Sequence, residues 1–154
     1  MTLWIVEDDD MQLSLILKEI EKEKEFSKDF KIHVNRDISW PPDETLPTLT
    51  PNPGGREAGS PNKLPDIIVL DLLLETNNQE FAGRPFYERL RQEEENAHKR
   101  PSQVIVYSQL RGLACTEKFV EACRSDHHFV DLVKSPALLM KELGRARQKV
   151  LDSE

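Results

Sequence analysis

Four short apolar runs each end in a residue able to do chemistry. Leu3-Trp4-Ile5-Val6 runs into Glu7-Asp8-Asp9-Asp10, and Ile67-Ile68-Val69-Leu70 into Asp71. Val104-Ile105-Val106-Tyr107 ends in Ser108, and Phe129 to Val133 in Lys134. An acidic cluster beside a carboxylate on the neighbouring strand is unfavourable alone, because like charges at short range oppose each other's ionisation. A divalent cation resolves the conflict. Mg²⁺ takes oxygen ligands and keeps positions open for phosphate oxygens. The Ser108 hydroxyl and Lys134 ammonium would hold the remaining phosphate oxygens, leaving Asp71 as nucleophile for phosphoryl transfer. Each piece alone has a plainer reading. Asp9 and Asp10 can complement a helix dipole, Asp71 and Ser108 can be turn residues, and Lys134 a solvated lysine. Their ordered placement at four strand ends is the specific signal, since ligands of open parallel sheets bind beyond the carboxyl ends of the strands.

The elements that must position these residues alternate along the chain. After the first strand, Leu13, Ile16, Leu17 and Ile20 recur at helical spacing, and the pattern fades into the charged stretch Glu21 to Glu25. Ile32-His33-Val34 is a second strand, and the third follows a Pro65-Asp66 turn. Gly83 and Pro85 open a helix carrying Phe86, Tyr87 and Leu90, which ends in a solvated run, Arg91 to Arg100. Within it Glu93-Glu94-Glu95 reads as a solvated face. Phe119, Val120 and Cys123 mark a short helix between strands four and five. Ser135 as N-cap with Pro136 at the first position starts the last helix, whose Leu139, Leu143, Ala146 and Val150 share one face. Tyr107 and Phe129 are expected in the core; His33, His98, His127 and His128 are expected at the surface or in loops. Strands that are continuous apolar runs suit a parallel sheet covered on both faces, and the alternation reads as a doubly wound α/β fold.

One segment breaks the rhythm. Residues 39 to 65 hold seven of the ten prolines and three of the six glycines. Proline removes helix donors and biases each preceding residue toward extended geometry, so the crossover helix expected there is replaced by a partly disordered insertion. It is either a tolerated surface loop or a docking segment, the latter suggested by Trp40 beside two prolines.

Composition limits the partners. The chain has 154 residues, 38% hydrophobic and 32% charged, enough for one domain that buries roughly 70% of its unfolded surface without staples. Its 28 acidic against 21 basic residues give a net charge of -7, which argues against nucleic acid or an anionic membrane as the main partner. There is no long apolar run and no charged-then-apolar leader. Cys115 and Cys123 fit no metal spacing and suggest a reducing, cytoplasmic compartment.

The motifs Ile5-Val6-Glu7-Asp8-Asp9, Pro65-Asp66-Ile67-Ile68-Val69-Leu70-Asp71, Val104-Ile105-Val106-Tyr107-Ser108 and Val133-Lys134 together resemble the receiver (phosphoacceptor) domains of two-component response regulators. The resemblance covers nearly the whole chain outside the proline-rich insertion. It implies a flavodoxin-like five-stranded sheet in order 2-1-3-4-5. It also implies phosphorylation of Asp71 by a histidine kinase or His-phosphotransfer protein. Asp8 and Asp71 would bind Mg²⁺ through their carboxylates, Leu73 through its backbone carbonyl and Glu7 largely through water. Ser108 would meet the phosphoryl group on activation, and Lys134 would form its ion pair. Such a domain is not a turnover enzyme; its chemistry is at most Mg²⁺-dependent self-phosphorylation and dephosphorylation. With the last helix ending near Leu151, the expectation is a stand-alone receiver acting through a separate downstream protein.

Departures from that pattern keep a second reading open. Glu75 and Gln79 stand where the family usually has proline and glycine, and the glycine arrives only at Gly83. Gln109 replaces the small residue after the switch hydroxyl, Ser135 intervenes between the lysine and its proline, and Asp131 occupies the place of the switch aromatic. These losses fit a receiver-like binding module that is not phosphorylated; the intact Glu7, Asp8, Asp71, Ser108 and Lys134 set fits a working phosphoacceptor. An aspartate-nucleophile phosphatase would need a second aspartate two residues after the first, where Leu73 stands.

Overall fold

The computed structural model describes residues 1–35, 64–71, 83–108, 121, 129–133 and 135–154, with backbone alone at 35, 83–85, 108 and 129–133. The expected insertion at 39 to 65 lies outside these residues except for its last two positions, and the expected helix around Phe119 is outside them apart from Glu121.

The strands are β1 (Thr2–Val6), β2 (Lys31–Asn35), β3 (Ile67–Leu70), β4 (Gln103–Ser108) and β5 (Phe129–Val133). They form one parallel sheet in the order β2-β1-β3-β4-β5. The helices are α1 (Asp10–Lys22), α2 (Lys24–Asp29), α3 (Gly83–Asn96) and α4 (Pro136–Leu151). Both sheet faces are covered, which is why the strands read as unbroken apolar runs. Successive side chains point to opposite faces. Leu3, Ile5, Ile67, Val69, Ile105 and Tyr107 therefore join the α1 and α4 residues Leu13, Ile16, Ile20, Leu139 and Leu143 in one core layer. Trp4, Val6, Ile68, Leu70, Val104 and Val106 pack instead against Phe86, Tyr87 and Leu90 of α3. On that side the Trp4 and Phe86 rings meet edge to face, with centroids 6.3 Å apart.

Three local features differ from the expectation. The charged stretch after α1 is not a fading helix end: the chain breaks at Glu23 (φ -90, ψ 88) and restarts as α2. Phe26 and Phe30 stack at 5.9 Å, and Phe26 comes close to Gly144 of α4, where an added Cβ would lie 3.5 Å from its ring. His33 is a half-buried β2 residue in register with Trp4 rather than a surface or loop residue. Burial, and secondarily the charge of Lys31, holds its pKa below the usual imidazole value.

The third difference is Glu94, which is not solvated: it is 1% exposed. It lies four residues after Leu90 and eight after Phe86, on the buried stripe of α3. Its Oε1 accepts from the Ser102 backbone N–H at 2.8 Å and from the Ser102 hydroxyl, and its Oε2 accepts from Arg91 at 2.8 Å. The Ser102 hydroxyl also reaches the Pro65 carbonyl at 2.7 Å, and Lys99 donates to the same oxygen at 2.6 Å. Arg91 lies over the Tyr87 ring, 5.1 Å from its centroid. Burial alone would lower the Arg91 pKa, but its bonds to Tyr87 and Glu94 outweigh that and raise it. This clasp fastens the end of α3 to the starts of β3 and β4. Between α3 and β4, His98 adopts φ 51. The His98 N–H bonds to the Glu95 carbonyl at 3.0 Å and the Lys99 N–H to that of Glu94 at 2.9 Å, the pair that closes a Schellman-type helix end.

Candidate functional site

Strand register brings the acidic residues together. Val6 of β1 is level with Leu70 of β3, so Glu7 and Asp71 leave the sheet at the same edge. The Asp71 N–H continues the ladder by donating to the Val6 carbonyl at 2.9 Å. One oxygen from each of Glu7, Asp8 and Asp71 lies within 4.8 Å of the others. Glu7 and Asp71 are buried, at 1% and 5% exposure, while Asp8 is half-buried.

The acidic run divides its labour at Asp9. Its Oδ1 accepts from the Met11 and Gln12 N–H groups at 2.9 and 3.2 Å, so Asp9 is the N-cap of α1 and does not join the cluster. Its own N–H donates to Glu7 Oε1 at 3.1 Å, tying the buried carboxylate to the start of the helix. Asp10, exposed in the first turn, complements the dipole of α1.

The donor set suits a hard divalent cation. Octahedral Mg²⁺ with oxygens at about 2.1 Å separates ligand atoms by about 3.0 Å (adjacent) and about 4.2 Å (opposite), and the three carboxylates span a comparable distance. Three carboxylates this close together carry mutual repulsion that such an ion removes.

Of the other expected residues, Ser108 ends β4 in register with Val133, so its backbone is at the same edge of the sheet as Asp71. The Ser108 side chain, Leu73, Gln109 and Lys134 lie outside the described residues. Asp131 is a β5 residue paired with Val106. Ser135 is the extended N-cap of α4 with Pro136 following, and its hydroxyl makes no capping bond. Among the described residues no helix is long and apolar enough to cross a membrane.

A parallel sheet in this strand order with helices on both faces is a receiver-like fold, and solved structures share that fold. The chain is similar to NtrX from Brucella abortus, a response regulator, in complex with ADP (14% identity, TM-score 0.59) and with ATP (12%, TM-score 0.60). It aligns over 99% of its own length but spans only 28% of the NtrX chain. It is also similar to a fusion protein carrying the yeast Spc42 trimeric coiled coil, amino acids 181–211 (12% identity, TM-score 0.61), covering 99% of this chain and 80% of that one. No family model matches the sequence, and no curated protein matches it.

Proposed function

We propose that this protein is a response-regulator receiver in two-component signalling, phosphorylated on Asp71 by a sensor histidine kinase or His-phosphotransfer protein. The observation that carries the reading is the convergence of Glu7, Asp8 and Asp71 at the ends of β1 and β3. In the reaction an Asp71 carboxylate oxygen attacks the donor's phosphorus, the phosphorus–nitrogen bond breaks, and the imidazole leaves with the electron pair. Asp71 becomes an acyl phosphate. Glu7, Asp8 and Asp71 would hold Mg²⁺ with the Leu73 carbonyl, and the ion would supply charge neutralisation for the transferred group. Ser108 and Lys134 would bind phosphoryl oxygens, and the phosphorylated form would signal through contacts with a downstream protein in the cytoplasm. The chemistry is stoichiometric, with Mg²⁺-dependent self-phosphorylation and dephosphorylation as its only turnover.

A second reading, a receiver-like binding module that is not phosphorylated, is favoured by Gln109 and Ser135 beside the reacting positions. Intact mass after incubation with Mg²⁺ and acetyl phosphate separates the two. A Mg²⁺-dependent gain of one phosphoryl group, lost in Asp71→Asn, is expected. Labelling that persists in Asp71→Asn refutes the assignment. If neither acetyl phosphate nor a phosphohistidine donor labels the protein, the binding module is the better reading.

A further inference from the structure

Asp9 holds two neighbours at once. Its side chain and its carbonyl face into α1: Oδ1 accepts from the Met11 and Gln12 N–H groups at 2.9 and 3.2 Å, and the carbonyl accepts from the Leu13 N–H at 2.9 Å. Its own N–H is given back to Glu7 Oε1 at 3.1 Å. Both are possible because Asp9 is extended (φ -81, ψ 110), the conformation that a capping side chain selects at a helix start.

Glu7 benefits from such a hold. Its side chain is long and rotatable, and at 1% exposure its carboxylate sits out of reach of bulk water. A buried carboxylate is costly unless it accepts hydrogen bonds, and an N–H bond to a charged oxygen is stronger than one to a neutral acceptor. The bond from Asp9 turns on the peptide that joins Asp8 to Asp9. Rotating that peptide takes the N–H away from Glu7 and shifts the backbone that carries Asp8, a second member of the cluster. The cap on α1 therefore sets the chain from which two of the clustered carboxylates are presented, although Asp9 is exposed and stands outside the cluster.

We infer that Asp9 is a positioning residue for the cation site: by capping α1 it fixes the N–H that holds Glu7, and so couples the first turn of the helix to cation binding. This rests on the reading of Glu7, Asp8 and Asp71 as a cation site. Coupling of this kind is reciprocal, so a cation that fixes Glu7 must steady the amides that Asp9 caps. A role through charge alone differs in what it requires: it needs the Asp9 carboxylate and is indifferent to the cap.

The test is calorimetric titration of Mg²⁺ alone into the full chain and its variants. Asp9→Ala should raise the dissociation constant about tenfold, the scale on which loss of a group supporting metal ligands is felt. Asp9→Asn and Asp9→Ser keep a capping oxygen without the charge and should stay within about threefold of the parent. Lys18→Gly loosens α1 at an exposed position away from the cap and should leave the constant unchanged. Circular dichroism checks that each variant folds. Amide exchange followed by NMR needs no variant: Mg²⁺ should slow exchange at Met11 and Gln12 of the parent, and the slowing should vanish in Asp9→Ala. A constant unmoved by Asp9→Ala, or parent amides indifferent to Mg²⁺, overturns the inference. So do Asn and Ser variants as weak as the alanine one, which assigns the effect to charge, and an equal loss in Lys18→Gly, which assigns it to helix stability at large. In all these cases the cation site itself stands; a parent that binds no Mg²⁺ overturns both.

Discussion

Replacing Glu7 by glutamine should stabilise the metal-free protein while removing most of its response to Mg²⁺. The three carboxylates have oxygens within 4.8 Å of one another. At that distance two unit charges repel by about 3.5 kcal/mol at an effective dielectric of about 20, and by about 0.9 kcal/mol in water. The first figure suits Glu7 and Asp71, both buried; the second suits Glu7 and half-buried Asp8. Against this relief stands a weaker bond from the Asp9 N–H, which glutamine keeps through its amide oxygen but without the charge. A net gain of about 2 kcal/mol is expected in EDTA. In Mg²⁺ the order reverses. A cation at a hundredfold excess over its dissociation constant adds about 2.7 kcal/mol to the parent protein, and the variant should lose most of that. Urea unfolding of both proteins in EDTA and in saturating Mg²⁺ measures all four stabilities. A variant less stable than the parent in EDTA, with an unchanged increment from Mg²⁺, would refute the argument that these carboxylates form a strained cation site.

Three further substitutions test the fold that holds the cluster. Glu94→Ala should cost about 3–5 kcal/mol, because it strips the carboxylate from half-buried Arg91 and the acceptor from the backbone N–H of fully buried Ser102; urea midpoints read the loss. His98→Gly should add about 1 kcal/mol, since glycine takes the left-handed conformation without the steric cost that His98 bears at φ 51; thermal unfolding checks the sign. His33 is held below its ordinary pKa, so folding favours its neutral form. Its effect on stability is absent above about pH 6.5, and stability falls as pH drops through the unfolded value toward the folded one. His33→Gln should flatten the stability profile between about pH 7 and about pH 5, measured by denaturation across that range.

Much of the sheet was legible because its signal is local. Strands buried on both faces must be apolar at every position, and the runs at Leu3, Ile67 and Val104 are. The gathering of Glu7 and Asp71 followed from the same reading, since adjacent parallel strands end at a common edge. The division within the acidic run was less accessible: whether an aspartate caps a helix or faces a pocket depends on a turn of one residue, and Asp9 and Asp8 differ in that alone. Glu94 escaped because its composition looks solvated, although its spacing from Phe86 and Leu90 put it on the buried stripe. What neutralises the cost of burying it, Ser102, comes eight residues later. The restart of the chain as α2 sets Phe26 against Gly144, more than a hundred residues away, and no local pattern carries that contact.

The placement of the two chain ends has a practical consequence. Met1 donates through its amino group to the Asp29 carbonyl beside the start of β2, and Arg100 holds the Ser153 carbonyl just before β4. Both termini therefore sit at the amino edge of the sheet, a full strand length from the carboxylates. A fluorophore, an affinity tag or a tethered domain joined before Met1 or after Glu154 would therefore stand clear of the three carboxylates.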